Sequence, residues 1–179
     1  YAISKVDAAG LWQLMEATGR GFGLRIDYTI DERLDPWLAT EAAAKHLKRD
    51  RQYLGTWPLA LTAYNHGPGG VQKAVQTLGT TDIADISFRY SSPTFGFASR
   101  NFYAQFLAAA EVASNYQKYF GELPVRPSLA FEAITLSTPT YFKELNQKYE
   151  FTLEEFKRLN PALRAPVLLN QRAIPRGVT

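Results

Sequence analysis

The chain has 179 residues, 46% of them hydrophobic and 13% aromatic, enough for one medium domain, or one with a small appendage, around a packed core. Its 20 Lys and Arg against 17 Asp and Glu leave a formal charge of +3 with no basic stripe, which argues against nucleic acid as a partner and leaves an acidic polymer as a fit. With no cysteine and two histidines, His46 and His66, the chain excludes disulfides, thiol nucleophiles, thiolate metal sites and a three-histidine zinc site, so neither a metal nor another cofactor is expected.

In chain order, Leu11, Trp12, Leu14 and Met15 have helical spacing and predict a helix from Ala8 to about Phe22, broken by Gly19, Gly21 and Gly23. Asp35 as N-cap and Pro36 at the first helical position predict a second helix over 36–54, ended by Gly55. WPLALTAYNH is a short, mostly buried helix, after which GPGG at 67–70 turns the chain into VQKAVQTLG. A loop-rich stretch to Gly96 precedes one long helix in ASRNFYAQFLAAAEVASNYQKYF, whose Phe102, Phe106, Leu107, Ala110 and Ala113 repeat at three and four. Prolines and polar residues in GELPVRPS mark a boundary over 121–128. Beyond it FEAITL alternates like a strand, TYFKELNQKYE and TLEEFKRLN read as helices, and QRAIP as a second strand.

No apolar run approaches the roughly 20 residues that span a bilayer, and no charged segment followed by an apolar one opens the chain. A cytosolic protein and one whose targeting segment has been removed both fit.

The glycines of AYNHGPGG are explained by a turn, whereas Tyr64 and Asn65 at the end of a buried helix ask for polar partners. Taken in order, GLWQLM at 10–15, WPLALTAYNHGPGGV at 57–71 and SRNFYAQFLAA at 99–109 resemble the lytic transglycosylase family with the soluble-transglycosylase catalytic domain, related in fold to goose-type lysozyme. SKVDAAGLWQLMEATGRGFGL and DERLDPWLATEAAAKHL are similar to the flanking segments of that family, and the tail resembles a degenerate LysM-type glycan-binding module. The resemblance implies a mainly α fold: a lysozyme-like helical domain over 1–122, lacking its N-terminal portion, and a small α+β (βααβ, LysM-like) module over 129–179.

It further implies non-hydrolytic cleavage of the MurNAc–GlcNAc β-1,4 bond of peptidoglycan to a 1,6-anhydroMurNAc end. A glutamate protonates the leaving oxygen and then takes the C6 hydroxyl proton, which requires a carboxyl kept protonated near neutral pH by a desolvated site. In the family that Glu stands in a Glu-Ser pair that would fall just upstream of Tyr1, so it is expected outside this sequence, in the preceding chain or on a separate N-terminal fragment. Of the residues present, the resemblance assigns Ser4 and Gln13 to sugar hydrogen bonds, Met15 to the cleft wall, Tyr64 to orienting the acid, and Asn65 to fixing its turn or touching glycan. Phe102 and Tyr103 are the remaining candidate contacts; many relatives have Glu-Thr-Arg-Asn-Tyr where this chain has Ala98, Ser99, Arg100, Asn101 and Phe102. His66 has two readings, a solvated turn position and a group reaching the cleft.

Asp7, Glu16, Asp27, Asp31, Glu32 and Asp35 are the carboxylates present that could substitute for the acid; Glu16 does not share a helical face with both Gln13 and Met15, and Asp31, Glu32 and Asp35 suit a helix start. The expected partner is the peptidoglycan glycan strand, and the expected location the bacterial periplasm or envelope. The alternatives are a catalytically inactive glycan-binding protein of the same fold and a helical protein-interaction domain without glycan affinity.

Overall fold

A computed structural model describes residues 2–124, 127 and 131–178. The elements are α1 (Glu16–Gly21), a 3-10 turn (Glu32–Leu34), α2 (Pro36–Leu54), α3 (Trp57–His66), α4 (Pro68–Leu78), α5 (Ile83–Arg89), α6 (Phe97–Ser114), α7 (Tyr116–Phe120), α8 (Phe142–Tyr149), α9 (Leu153–Leu159) and α10 (Ala165–Leu168). The architecture is mainly helical, and the described residues pair as strands only in isolated bridges. Two compact units emerge, residues Tyr1–Ala44 with Ser128–Thr179, and residues Lys45–Pro127. Residues 125, 126 and 128 of the expected boundary, and residue 129 at the expected start of the tail module, lie outside the described residues.

In the first unit, residues 2–15 form a compact loop rather than the first turns of a helix, which corrects the expectation of a helix from Ala8. Ala9 pairs with both Ile3 and Leu14, and φ is positive at Asp7, Gly10 and Gln13. The physical reason lies at Gly10, with φ of 76°, where a Cβ would stand 1.8 Å from the Arg33 carbonyl oxygen. The backbone comes so close to residue 33 that only glycine fits, and that conformation is incompatible with a right-handed helix. Helix α1 therefore starts only at Glu16.

The tail follows the expected helix order, with Glu144 reaching back to the Tyr141 N–H at 3.0 Å to start α8 and a reciprocal Thr152–Glu155 capping box starting α9. Its two predicted strands reduce to a Thr140–Ile174 bridge, extended by hydrogen bonds between Leu136 and residues 177–178, and α10 is an addition. The core of this part is aromatic, Phe142 lying 5.1 Å from Phe156 and Phe151 stacking on Phe156 at 4.9 Å. Ile30, 1% exposed, belongs to the same cluster with Leu145, Leu163, Val167 and Ile174.

The described elements of the second unit are all helices. Leu59 and Ala63 of α3, Val71 and Ala74 of α4, Ile86 of α5, and Tyr90 and Phe95 form its core with Leu54. Helix α2 begins within the first unit, where Asp35 and Pro36 start it as expected, the carboxylate accepting from the N–H groups of Trp37 and Leu38, and Gly55 ends it with φ of 86°. Within GPGG only Gly67 is the break; Pro68 opens α4, and Gly69 and Gly70 are helical. The loop-rich stretch before Gly96 contains α5, capped by the Asp82 carboxylate. The single long helix expected to residue 120 is interrupted at Asn115, between α6 and α7. Its apolar stripe is not a buried one: Phe106 and Leu107 are exposed, and the buried α6 residue is Ser99.

Candidate functional site

The loop of residues 2–15 carries three of the expected contacts. Ser4 is half-buried, and its Oγ accepts from the N–H groups of Val6 (3.3 Å) and Ala8 (2.9 Å), shaping the turn. Gln13, exposed and at φ of 49°, donates its amide to the carbonyls of Ala2 (3.2 Å) and Gly10 (2.8 Å). Both amide protons are thus held by the backbone, and the side-chain oxygen is left as the acceptor offered to a ligand. Met15, 44% exposed, stands at the N-cap of α1. Its flexible thioether is suited to an adaptable apolar wall.

This loop is fixed from beneath by Arg33, a residue the sequence did not single out. The guanidinium is 3% exposed and grips both oxygens of buried Asp31, Nε to Oδ1 at 2.9 Å and Nη2 to Oδ2 at 2.8 Å, while Nη1 donates to the carbonyls of Asp7 and Leu14 at 2.6 and 3.1 Å. A bidentate pair with two further donors satisfied by backbone carbonyls is the arrangement in which a buried charge is tolerated. The hydrogen bond to Asp31, opposed by burial and aided by the Asp31 charge, holds the Arg33 pKa above its ordinary value.

The second unit holds the remaining candidates. Tyr64 is half-buried near the end of α3, its ring 5.2 Å from that of His46, and burial pushes its pKa up to about 12. Its phenol is therefore a neutral hydrogen-bonding group throughout the physiological range. Next to it, Asn65 accepts the Ser99 hydroxyl at 2.8 Å, so it takes part in fixing the helix end. Phe102 and Tyr103 are half-buried on α6. His46 itself lies 3.1 Å from Asp50, fully buried, which also meets Arg49 at 2.9 Å; burial pushes the imidazole pKa down against the pull of Asp50. His66 is half-buried, edge-on to Phe95 at 4.9 Å and packed where a Cβ on Gly70 would come within 2.5 Å of its ring. Burial pushes its pKa down as well. Arg100 ties α6 to the carbonyls of Ser87 and Tyr90 at 3.0 and 3.1 Å.

Each carboxylate that could substitute for the acid has a structural engagement. Asp7 lies 3.7 Å from Arg33, Glu16 pairs with Arg20 at 2.8 Å, Asp31 is gripped by Arg33, Glu32 accepts the Arg25 N–H at 2.6 Å, and Asp35 caps α2. For Asp27 burial alone would raise the pKa, but hydrogen bonds from Thr29, Arg25 and Ile30 outweigh it and hold the carboxyl well below the usual range. A general acid needs the opposite shift. Among the described residues no group of three His, Cys, Asp or Glu is arranged to hold a metal ion.

Sequence reasoning missed Arg33 and Ile30, and read Asp31 only as a candidate acid or helix start, because the roles of Arg33 and Ile30 depend on partners distant in the chain. The acidic residues around Arg33 in DERLD were the available signal, and they read equally well as a helix start.

Residues 1–87 match the family model described as Transglycosylase SLT domain. The chain is 28% identical over 170 residues, 94% of its length, to the membrane-bound lytic murein transglycosylase D of Escherichia coli strain K12, and to the same degree to that of Escherichia coli O6:H1. It spans 37% of the length of these curated relatives.

Proposed function

We propose that this chain is part of a peptidoglycan lytic transglycosylase, contributing the glycan-contacting loop and the supporting tyrosine of its active site. The observation that carries the reading is the SLT-domain match over residues 1–87, which spans Ser4, Gln13, Met15, Tyr64 and Asn65 together. The similarity to the lytic murein transglycosylases over 170 residues supports it.

In this reading Gln13 Oε1 and the Ser4 hydroxyl hold N-acetyl or hydroxyl groups of the sugars, and Met15 lines the cleft. A glutamate protonates the glycosidic oxygen as the C1–O bond breaks; the C6 hydroxyl oxygen then bonds to C1 and the same glutamate recovers a proton from that hydroxyl. No water is consumed. Tyr64, neutral and half-buried, orients the acid. The engagement of the nearby carboxylates supports locating that glutamate in sequence preceding Tyr1, on the same chain or on a separate N-terminal fragment. The consecutive helices α8 and α9 of the tail, flanked by the Thr140–Ile174 bridge, support a LysM-like glycan-binding role. An envelope or periplasmic location fits the substrate, and the relatives are named as membrane-bound. Among the described residues no helix is long and apolar enough to cross a membrane.

The test is digestion of purified sacculi by the native full-length protein. Release of 1,6-anhydro muropeptides, abolished by changing the upstream Glu to Gln, is expected; reducing-end products would mean lysozyme-like hydrolysis instead. A catalytically inactive glycan-binding protein of the same fold is the second reading, favoured by the engagement of every carboxylate near the loop. Sequencing of the native N-terminus decides it: if no Glu-Ser pair precedes Tyr1, the enzyme lacks its acid.

A further inference from the structure

Arg33 reaches beyond the loop it anchors. Its partner Asp31 ends a tight turn, Ile26 bridging to Asp31, and this turn is paired on its other side with the C-terminal part of the chain. The Asp31 N–H donates to the Ala162 carbonyl at 2.8 Å, Ile30 bridges to Leu163, the Arg164 N–H donates to the Thr29 carbonyl at 2.9 Å, and Arg164 Nη1 donates to the Asp27 carbonyl at 2.9 Å. Ile30, 1% exposed, is inserted into the aromatic core of the tail. The connection is therefore continuous: tail segment 162–164, turn 27–31, the Asp31–Arg33 pair, and the carbonyls of Asp7 and Leu14.

We propose that Arg33 is the positioning residue of the Ser4–Leu14 loop and that residues 162–164 brace it, making the tail a structural part of the glycan site rather than an independent appendage. The physical requirement is specific. The loop holds Asp7 and Gln13 at positive φ, conformations that non-glycine residues adopt only when the surroundings impose them. Nη1 of Arg33 bonds the carbonyl of Asp7 and that of Leu14, one residue past Gln13, so the two strained points are held by one planar group. That group is oriented by Asp31, whose backbone N–H is occupied by the tail. Loosening the tail frees the turn, lets the carboxylate rotate, and allows Gln13 to leave the geometry its two backbone bonds impose. The glycan assignment of the loop rests on the function proposed above; the brace itself is a statement about the chain.

The test uses the whole chain with Arg164→Ala, an exposed position outside the sugar contacts, and Arg33→Lys, which keeps the charge but loses the fork. Amide hydrogen exchange is read at Ala9 and Leu14, which bond each other across the loop at 3.1 Å, and in α3 and α4 as a reference. Exchange at Ala9 and Leu14 is expected to rise about tenfold in both variants with the reference helices unchanged. Retention on insoluble peptidoglycan is expected to fall about fivefold in Arg164→Ala, and to fall no further when Arg164→Ala is added to Gln13→Ala. Unchanged exchange at Ala9 and Leu14 in both variants, or an equal rise in α3 and α4, overturns the brace; so do additive losses of retention. Failure of the unaltered chain to bind peptidoglycan would strike at the functional reading alone, because exchange decides the brace without glycan.

Discussion

The Ser99 hydroxyl donates to Asn65 Oδ1 at 2.8 Å, tying the last turn of α3 to the first turn of α6. Ser99 is 6% exposed, so the bond is made away from most competing water. Changing Ser99 to Ala should cost about 1 kcal/mol in urea unfolding and release the Asn65 side chain. A Ser99→Ala protein as stable as the original would show that the bond does not hold this helix end.

Under the proposed function Tyr64 acts through the acid rather than on sugar. Tyr64→Phe in the full-length enzyme should lower kcat about tenfold or more while changing glycan binding little. With its pKa pushed up to about 12, Tyr64 stays protonated, so the pH–rate profile should contain no limb from this phenol below about pH 11. Equal losses in kcat and binding would make Tyr64 a sugar contact or a packing residue.

Gly10 and Gly21 give opposite expectations from the same substitution. At Gly10, Ala must adopt φ of 76° with its Cβ 1.8 Å from the Arg33 carbonyl oxygen, and a loss above about 2 kcal/mol is expected, with retention on peptidoglycan falling in parallel. Gly21 ends α1 with nothing within 4 Å of an added Cβ, and Gly21→Ala should be neutral or slightly stabilising. Thermal melts of the two variants check both; comparable stability would refute the close approach at Gly10.

Asp27 makes a prediction with a defined sign. Its carboxylate accepts from the Thr29 N–H, the Thr29 hydroxyl, the Ile30 N–H and Arg25, which places its folded pKa below the unfolded value of about 3.9. The stabilisation is fully present above the unfolded pKa, starts to decline below it, and is lost as pH falls through the folded pKa. Asp27→Asn should therefore cost about 1 kcal/mol at pH 7 and less at pH 3, measured by urea unfolding. A cost that grows on acidification would contradict the assignment.

The helices α2 and α3 were legible in the sequence because their ends are written locally: Asp35, Pro36 and Gly55 for one, Thr56 and Gly67 for the other. The loop at 2–15 was not. Leu11, Leu14 and Met15 satisfy helical spacing, but Gly10 takes its backbone geometry from Arg33, a contact that no short window contains. The exposed stripe of α6 shows the converse failure, since periodicity says which side chains share a face and nothing about whether anything covers it. Of the candidate site, the motif residues are assigned by resemblance. What supports them, the Arg33–Asp31 pair and the Ser99 bond, became visible only once distant segments were brought together.

The pairing of Arg164 with Asp27 joins residues 137 positions apart in sequence, and Ile30 cannot be buried until the last part of the chain exists. The Lys45–Pro127 unit, by contrast, is one continuous stretch whose core comes from neighbouring helices. On the ribosome this orders events: the helical unit can condense while synthesis continues, whereas the unit holding the loop of residues 2–15 must wait for its C-terminal half and meet the entropy of closing a long loop. Refolding should accordingly be biphasic, and the slow phase should be the one in which the loop of residues 2–15 gains protection.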